Sequence, residues 1–149
     1  MKTDNHEYRV DISWKEGRIG TMSSSELNEE IEVATPPQFP GGVEGIWSPE
    51  HLFISSVSSC FMTTFVAIAE NSNLEFESID IKATGKMDKK DGKYMMTEIT
   101  LYPDLLITDD AKSEKAKRIM EKAEAACLIS RSVKTEIKLE PKVSIGSLS

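Results

Sequence analysis

The chain has 149 residues, 39% of them hydrophobic and 29% charged, which suits one soluble globular domain and leaves little room for a second. A net charge of −7 repels phosphate backbones and anionic headgroups, so the composition argues against nucleic-acid binding and against docking on a membrane surface. Two cysteines are too few for a disulfide-scaffolded secreted domain, and with only two histidines the chain lacks a spaced zinc set.

Residues 1–149 are therefore expected to form a single domain. The start, Met1 to Glu7, is polar and does not have the pattern of a signal peptide. Tyr8 to Trp14 alternates apolar and polar residues as a strand does, Lys15-Glu16-Gly17 makes a hairpin turn, and Arg18 to Ser23 returns antiparallel. Glu30 to Thr35 alternates again. Pro36 to Gly45, rich in Pro and Gly, is a connecting loop within the domain.

Ser48-Pro49-Glu50 opens a helix: Ser48 caps, Pro49 suits the first turn, and Glu50 complements the dipole. The helix is expected to reach Asn71, where Asn71-Ser72-Asn73 stops it. Within it, Leu52 to Ala69 carries no charge and approaches the length of a membrane span. Six hydroxyls (Ser55, Ser56, Ser58, Ser59, Thr63 and Thr64) argue instead for a helix buried on most sides of a soluble, cytoplasmic protein. Two strands follow, Ser78 to Met87 and Tyr94 to Pro103, joined through Asp88 to Gly92. A second helix is expected from about Asp110 to Leu128, capped by Thr108 or Asp109, with an apolar seam through Ala116, Ile119, Met120, Ala123, Ala126 and Cys127. Its lysines, including Lys115, read as a solvated face. A last strand runs from Val133 to Leu139. The order predicts an α+β fold of antiparallel sheets around two central helices.

No phosphate-binding loop, dinucleotide fingerprint or nucleophile elbow occurs. What remains are two thiols on apolar helical seams. They read either as small packing hydrophobes or as a reactive thiol beside a resolving one, the arrangement of a cysteine peroxidase. Such chemistry needs a cation that lowers the thiol pKa and a donor for the leaving alkoxide. Arg supplies both, and Arg9, Arg18, Arg118 and Arg131 are the candidates, with Glu50 as a carboxylate to hold one in place.

The run Thr35-Pro36-Pro37, Gly41-Gly42, Ser48-Pro49-Glu50-His51-Leu52-Phe53 and Ser59-Cys60-Phe61 resembles the OsmC/Ohr family of thiol-dependent hydroperoxide reductases. Cys127-Leu128-Ile129-Ser130-Arg131 is similar to that family's second-cysteine segment, with Leu128 where Pro is common. The resemblance spans roughly Trp14 to Pro141. It implies that Cys60 is the peroxidatic cysteine and that Cys127 resolves it in an intramolecular disulfide. It further implies that Glu50 orients a catalytic Arg. Gly17-Arg18-Ile19-Gly20 matches the family's hairpin Arg, so Arg18 is the implied residue. The family also implies an intertwined homodimer, an organic hydroperoxide as substrate, an external dithiol as reductant, and no metal, haem or flavin. Phe39 and Phe61 are candidate substrate contacts. The rival expectation is a non-catalytic dimer of the same fold that binds a small molecule or senses redox state.

Helix geometry adds a constraint. Glu50 and Cys60, ten residues apart on one helix, are separated by about 15 Å along its axis and about 80° around it. A Glu-held Arg then serves Cys60 of the partner chain more readily than that of its own, which favours a two-fold dimer.

Overall fold

The computed structural model describes residues 5–146; of the polar start, Met1 to Asp4 lies outside them. The chain forms two compact units, one up to Leu52 and one from Phe53 onward.

The first unit is built on a three-stranded antiparallel sheet, β1 (Asp11–Glu16), β2 (Ile19–Ser23) and β3 (Ile31–Ala34), in that order. The β1–β2 turn places Gly17 at φ +51, a conformation that costs Gly little, and the Trp14 indole N–H donates to the Gly17 carbonyl at 3.0 Å. The Pro-Gly loop is ordered by its own backbone. Val43 N–H donates to Thr35 O at 2.9 Å, and Gly42 lies so close to Pro36 that a Cβ there would meet its carbonyl oxygen. The loop returns to the sheet where Ala34 N–H donates to Trp47 O at 2.8 Å. Ser48 is fully buried and caps the helix that follows, its Oγ accepting from His51 N–H at 3.1 Å.

That helix, α1 (Pro49–Asn71), begins and ends where the sequence predicts. It stops because Asn73 adopts the left-handed conformation (φ +55), which turns Leu74 N–H back to Ala69 O at 2.9 Å.

The second unit packs α1 from Phe53 against a long hairpin, β4 (Ser78–Lys90) and β5 (Lys93–Ile107). Both strands outrun their expected ends. The ladder continues to Lys90↔Lys93, and Asp91 and Gly92, both at positive φ, make the two-residue turn. On β5, Ile99, Leu101, Pro103, Leu105 and Ile107 all point inward. They meet Val57, Phe61, Phe65 and Ala69 of α1 and Ala116, Ile119, Met120 and Ala123 of α2 (Ser113–Ala126). At Gly85 the approach of α1 leaves no room for a Cβ, which would sit within reach of the Ile54 side chain.

Four features depart from expectation. By length and composition alone α1 is apolar enough to cross a membrane, yet its burial is confined to one stripe of four residues, and Met62 and Val66 are each 38% exposed. Burial on most sides is thus not what this chain alone provides. The second helix does not run through: a 3₁₀ turn at Asp110–Lys112, capped by Asp109, precedes α2, and the chain breaks at Cys127 before the short α3 (Leu128–Arg131). Lys115 is not merely solvated, because its Nζ donates to Ser72 O at 2.7 Å. The last strand is two: β6 (Glu136–Leu139) and β7 (Lys142–Ile145) both lie parallel to β5, at Glu98–Leu101 and Asp104–Ile107 respectively. Pro141 falls between them and has no N–H for the ladder.

Candidate active site

The second unit brings the two thiols together. Cys60 lies on α1, half-buried, in the position before the fully buried Phe61. Cys127 is fully buried at the break between α2 and α3, where an extended backbone (φ −61, ψ 116) ends one helix and caps the next. Both are free thiols. The break matters chemically because the first amides of α3 have no partner within their helix.

Those amides converge on sulfur. Burial acts to raise the Cys60 pKa, but the backbone of Ile129, the Cys127 thiol, the Thr64 hydroxyl and the backbone of Leu128 act against it, and the net shift is downward. Thr64 Oγ1 stands 3.9 Å from Cys60 Sγ, one helical turn on. Cys127 shifts the other way. Its burial raises the thiol, and Cys60 raises it further, both by sharing its hydrogen and by its charge; only the hydroxyl and backbone of Ser130 act to lower it. The Cys127 thiol also has the Val57 carbonyl as an acceptor at 4.0 Å. The pair is thus polarised, with Cys60 toward thiolate and Cys127 toward thiol. All the groups that lower the Cys60 pKa are neutral.

Because the thiolate is the nucleophile, lowering the Cys60 pKa moves its reactivity toward acid pH. With iodoacetamide, reduced protein is expected to be alkylated first at Cys60. The rate should reach half its maximum at a lower pH than for an ordinary thiol, with Cys127 lagging. Peptide mapping over a pH series checks this, and equal rates at the two residues would contradict it.

The first unit holds Arg18, Glu50 and Phe39. Arg18, at the β1–β2 turn, is exposed, and its side chain lies along Gly41, where a Cβ would come within 3.1 Å of Nε. Arg18 borders an open cavity of about 390 Å³ with Ile12, Trp14, Val33, Thr35 and Pro49. Glu50 is half-buried in the first turn of α1. Among the described residues Arg18 and Glu50 form no ion pair, since the guanidinium is laid along the loop glycine instead. Phe39 is half-buried in the Pro-Gly loop. Phe61, in the second unit, is completely buried, 6.4 Å from Phe65 in a stacked pair. Among the described residues no three His, Cys, Asp or Glu side chains gather to hold a metal.

Three contributors were not anticipated: Thr64, the α3 amides and Ser130. The signal that could have found Thr64 is helical spacing, four residues after Cys60. The amides carry no side-chain signature, and they become donors only because the helix breaks.

A family model described as OsmC-like protein matches residues 42–142. Three curated relatives cover nearly the whole chain. The uncharacterized protein YmaD of Bacillus subtilis is 27% identical, over 95% of this chain and 97% of its own. The peroxiredoxin OsmC of Escherichia coli is 29% identical, over 93% and 94%. The organic hydroperoxide resistance protein OhrB of Bacillus subtilis is 25% identical, over 91% and 98%. The crystal structure of OhrB matches the fold with a TM-score of 0.69 at 20% identity, over 93% and 98%.

Proposed function

We propose, because this chain belongs to the OsmC-like protein family, that it is a thiol-dependent peroxidase that reduces organic hydroperoxides to alcohols. The observation that carries the reading is the polarised pair, a Cys60 thiol shifted toward its anion beside a protonated Cys127. The names of relatives as peroxiredoxin and organic hydroperoxide resistance protein support it.

Cys60 thiolate attacks the terminal oxygen of the hydroperoxide. The O–O bond breaks, the alkoxide takes up a proton and leaves as the alcohol, and the sulfur becomes a sulfenic acid. Cys127 then displaces the hydroxyl as water to close the disulfide, which an external dithiol reduces. In this reading Arg18 and Glu50 come from the partner of a cytoplasmic homodimer, and Phe39 faces the substrate. The apolar residues that the chain leaves exposed, Met62 and Val66 on α1 and Ile12 and Trp14 on β1, favour such a partner.

The test treats reduced protein with one equivalent of cumene hydroperoxide and counts thiols by mass spectrometry. Loss of two thiols and about two mass units, with cumyl alcohol formed in equal amount, is expected. Two thiols that persist would overturn the reading in favour of a binding or redox-sensing dimer.

A further inference from the structure

The Ser130 hydroxyl is buried and completes no hydrogen bond in the reduced protein. A buried hydroxyl without a partner is costly, so its position calls for a physical reason. Its neighbour is Cys127: Ser130 lies in α3, the turn that Cys127 caps, and its side chain and backbone are both near enough to that sulfur to favour the thiolate. The other hydroxyl in this turn, on Ser132, is already spent, donating to Leu128 O at 2.9 Å. In the reduced state the Cys127 sulfur keeps its own hydrogen, directed to Cys60 or to Val57 O, and has no need of Ser130.

Resting on the peroxidase reading, we propose that Ser130 is a catalytic residue of disulfide closure, its hydroxyl donating to Cys127 sulfur as that thiol ionises. Oxidation of Cys60 creates the demand. Once Cys60 is a neutral sulfenic acid, its negative charge is gone, and with it both influences by which it holds Cys127 protonated. Ser130 then faces burial as the group that favours the anion. The Cys127 thiolate attacks the Cys60 sulfur, the S–S bond forms, and the S–O bond breaks. Hydroxide leaves and takes up the proton that Cys127 released, giving water. Cys127 is oxidised and the sulfenic sulfur reduced, with no other reactant. The hydroxyl, without a completed hydrogen bond before oxidation, thus gains one as the resolving thiol ionises.

The experiment follows the two steps separately in Ser130→Ala by stopped flow, with dimedone to trap sulfenic acid and Ser132→Ala as control. Cys60 oxidation by cumene hydroperoxide should proceed at the wild-type rate, which also reports an intact fold around Cys60. Closure should slow by about 10- to 100-fold, the range carried by a hydrogen bond to a charged group, with trapped sulfenic acid rising to match. Ser132→Ala should close normally. Oxidation and closure both at wild-type rates in Ser130→Ala, or equal slowing in the two variants, would overturn the assignment. A wild-type protein that never forms sulfenic acid would instead refute the peroxidase reading beneath it.

Discussion

Cys60→Ser is expected to lose hydroperoxide reduction entirely, by a factor of at least about 10³, the scale on which loss of a covalent nucleophile is felt. The surroundings of Cys60 lower the pKa of a sulfur; a serine hydroxyl in the same place stays protonated at neutral pH and does not attack the peroxide. The amides at Leu128 and Ile129 and the Thr64 hydroxyl remain, so the fold persists while the chemistry ends. Cys127→Ser provides the contrast: its first turnover should proceed and stop at the sulfenic acid. Consumption of cumene hydroperoxide, followed with and without dithiol, separates the two. Full activity in Cys60→Ser would remove Cys60 from the mechanism.

Phe65→Ala is expected to destabilise the protein by about 3–5 kcal/mol, the cost of emptying a large aromatic site in a packed core. Phe65 is completely buried, stacked with Phe61 and in edge contact with Phe76, the ring centroids 5.3 Å apart. Set against a typical total of about 5–15 kcal/mol, that loss is severe. At about 2–4 °C per kcal/mol for a chain of this size, the melting temperature should fall by about 6–20 °C. Thermal and urea melts measure it, and a loss below about 1 kcal/mol would place the core elsewhere.

Where signals were local, they could be read from the sequence. Ser48-Pro49-Glu50 and Asn71-Ser72-Asn73 mark both ends of α1 because caps and stops are short-range chemistry. The α+β order also followed from pattern, whereas the pairing of the two thiols was implied by the family resemblance and left open by pattern alone. The misreadings had tertiary causes. The lysine-rich tip of the hairpin looks like a loop, but its ladder reaches Lys90 and Lys93 because Asp91 and Gly92 alone make the turn. The seam from Ala116 to Cys127 continues smoothly in sequence, and nothing in Cys127-Leu128-Ile129 announces a break. Parallel pairing leaves no trace in alternation, so β6 and β7 could not be oriented. The hydrophobicity of α1 was visible, but not how much of it this chain would leave uncovered. For the site, the family resemblance pointed to both thiols; the donors that distinguish them arise from where the chain turns.

The parallel placement of β6 and β7 on β5 sets a schedule for synthesis. The amides that lower the Cys60 pKa belong to the crossover between β5 and β6, far downstream of Cys60 itself. A nascent chain that has finished α1 and the hairpin but not yet the crossover has Thr64 beside Cys60 but not the amides of Leu128 and Ile129. The full set of groups that lower the Cys60 pKa is complete only together with Cys127, when the crossover docks. Under the proposed peroxidase reading, an unfinished chain is thereby spared a sulfenic acid that it has no means to resolve.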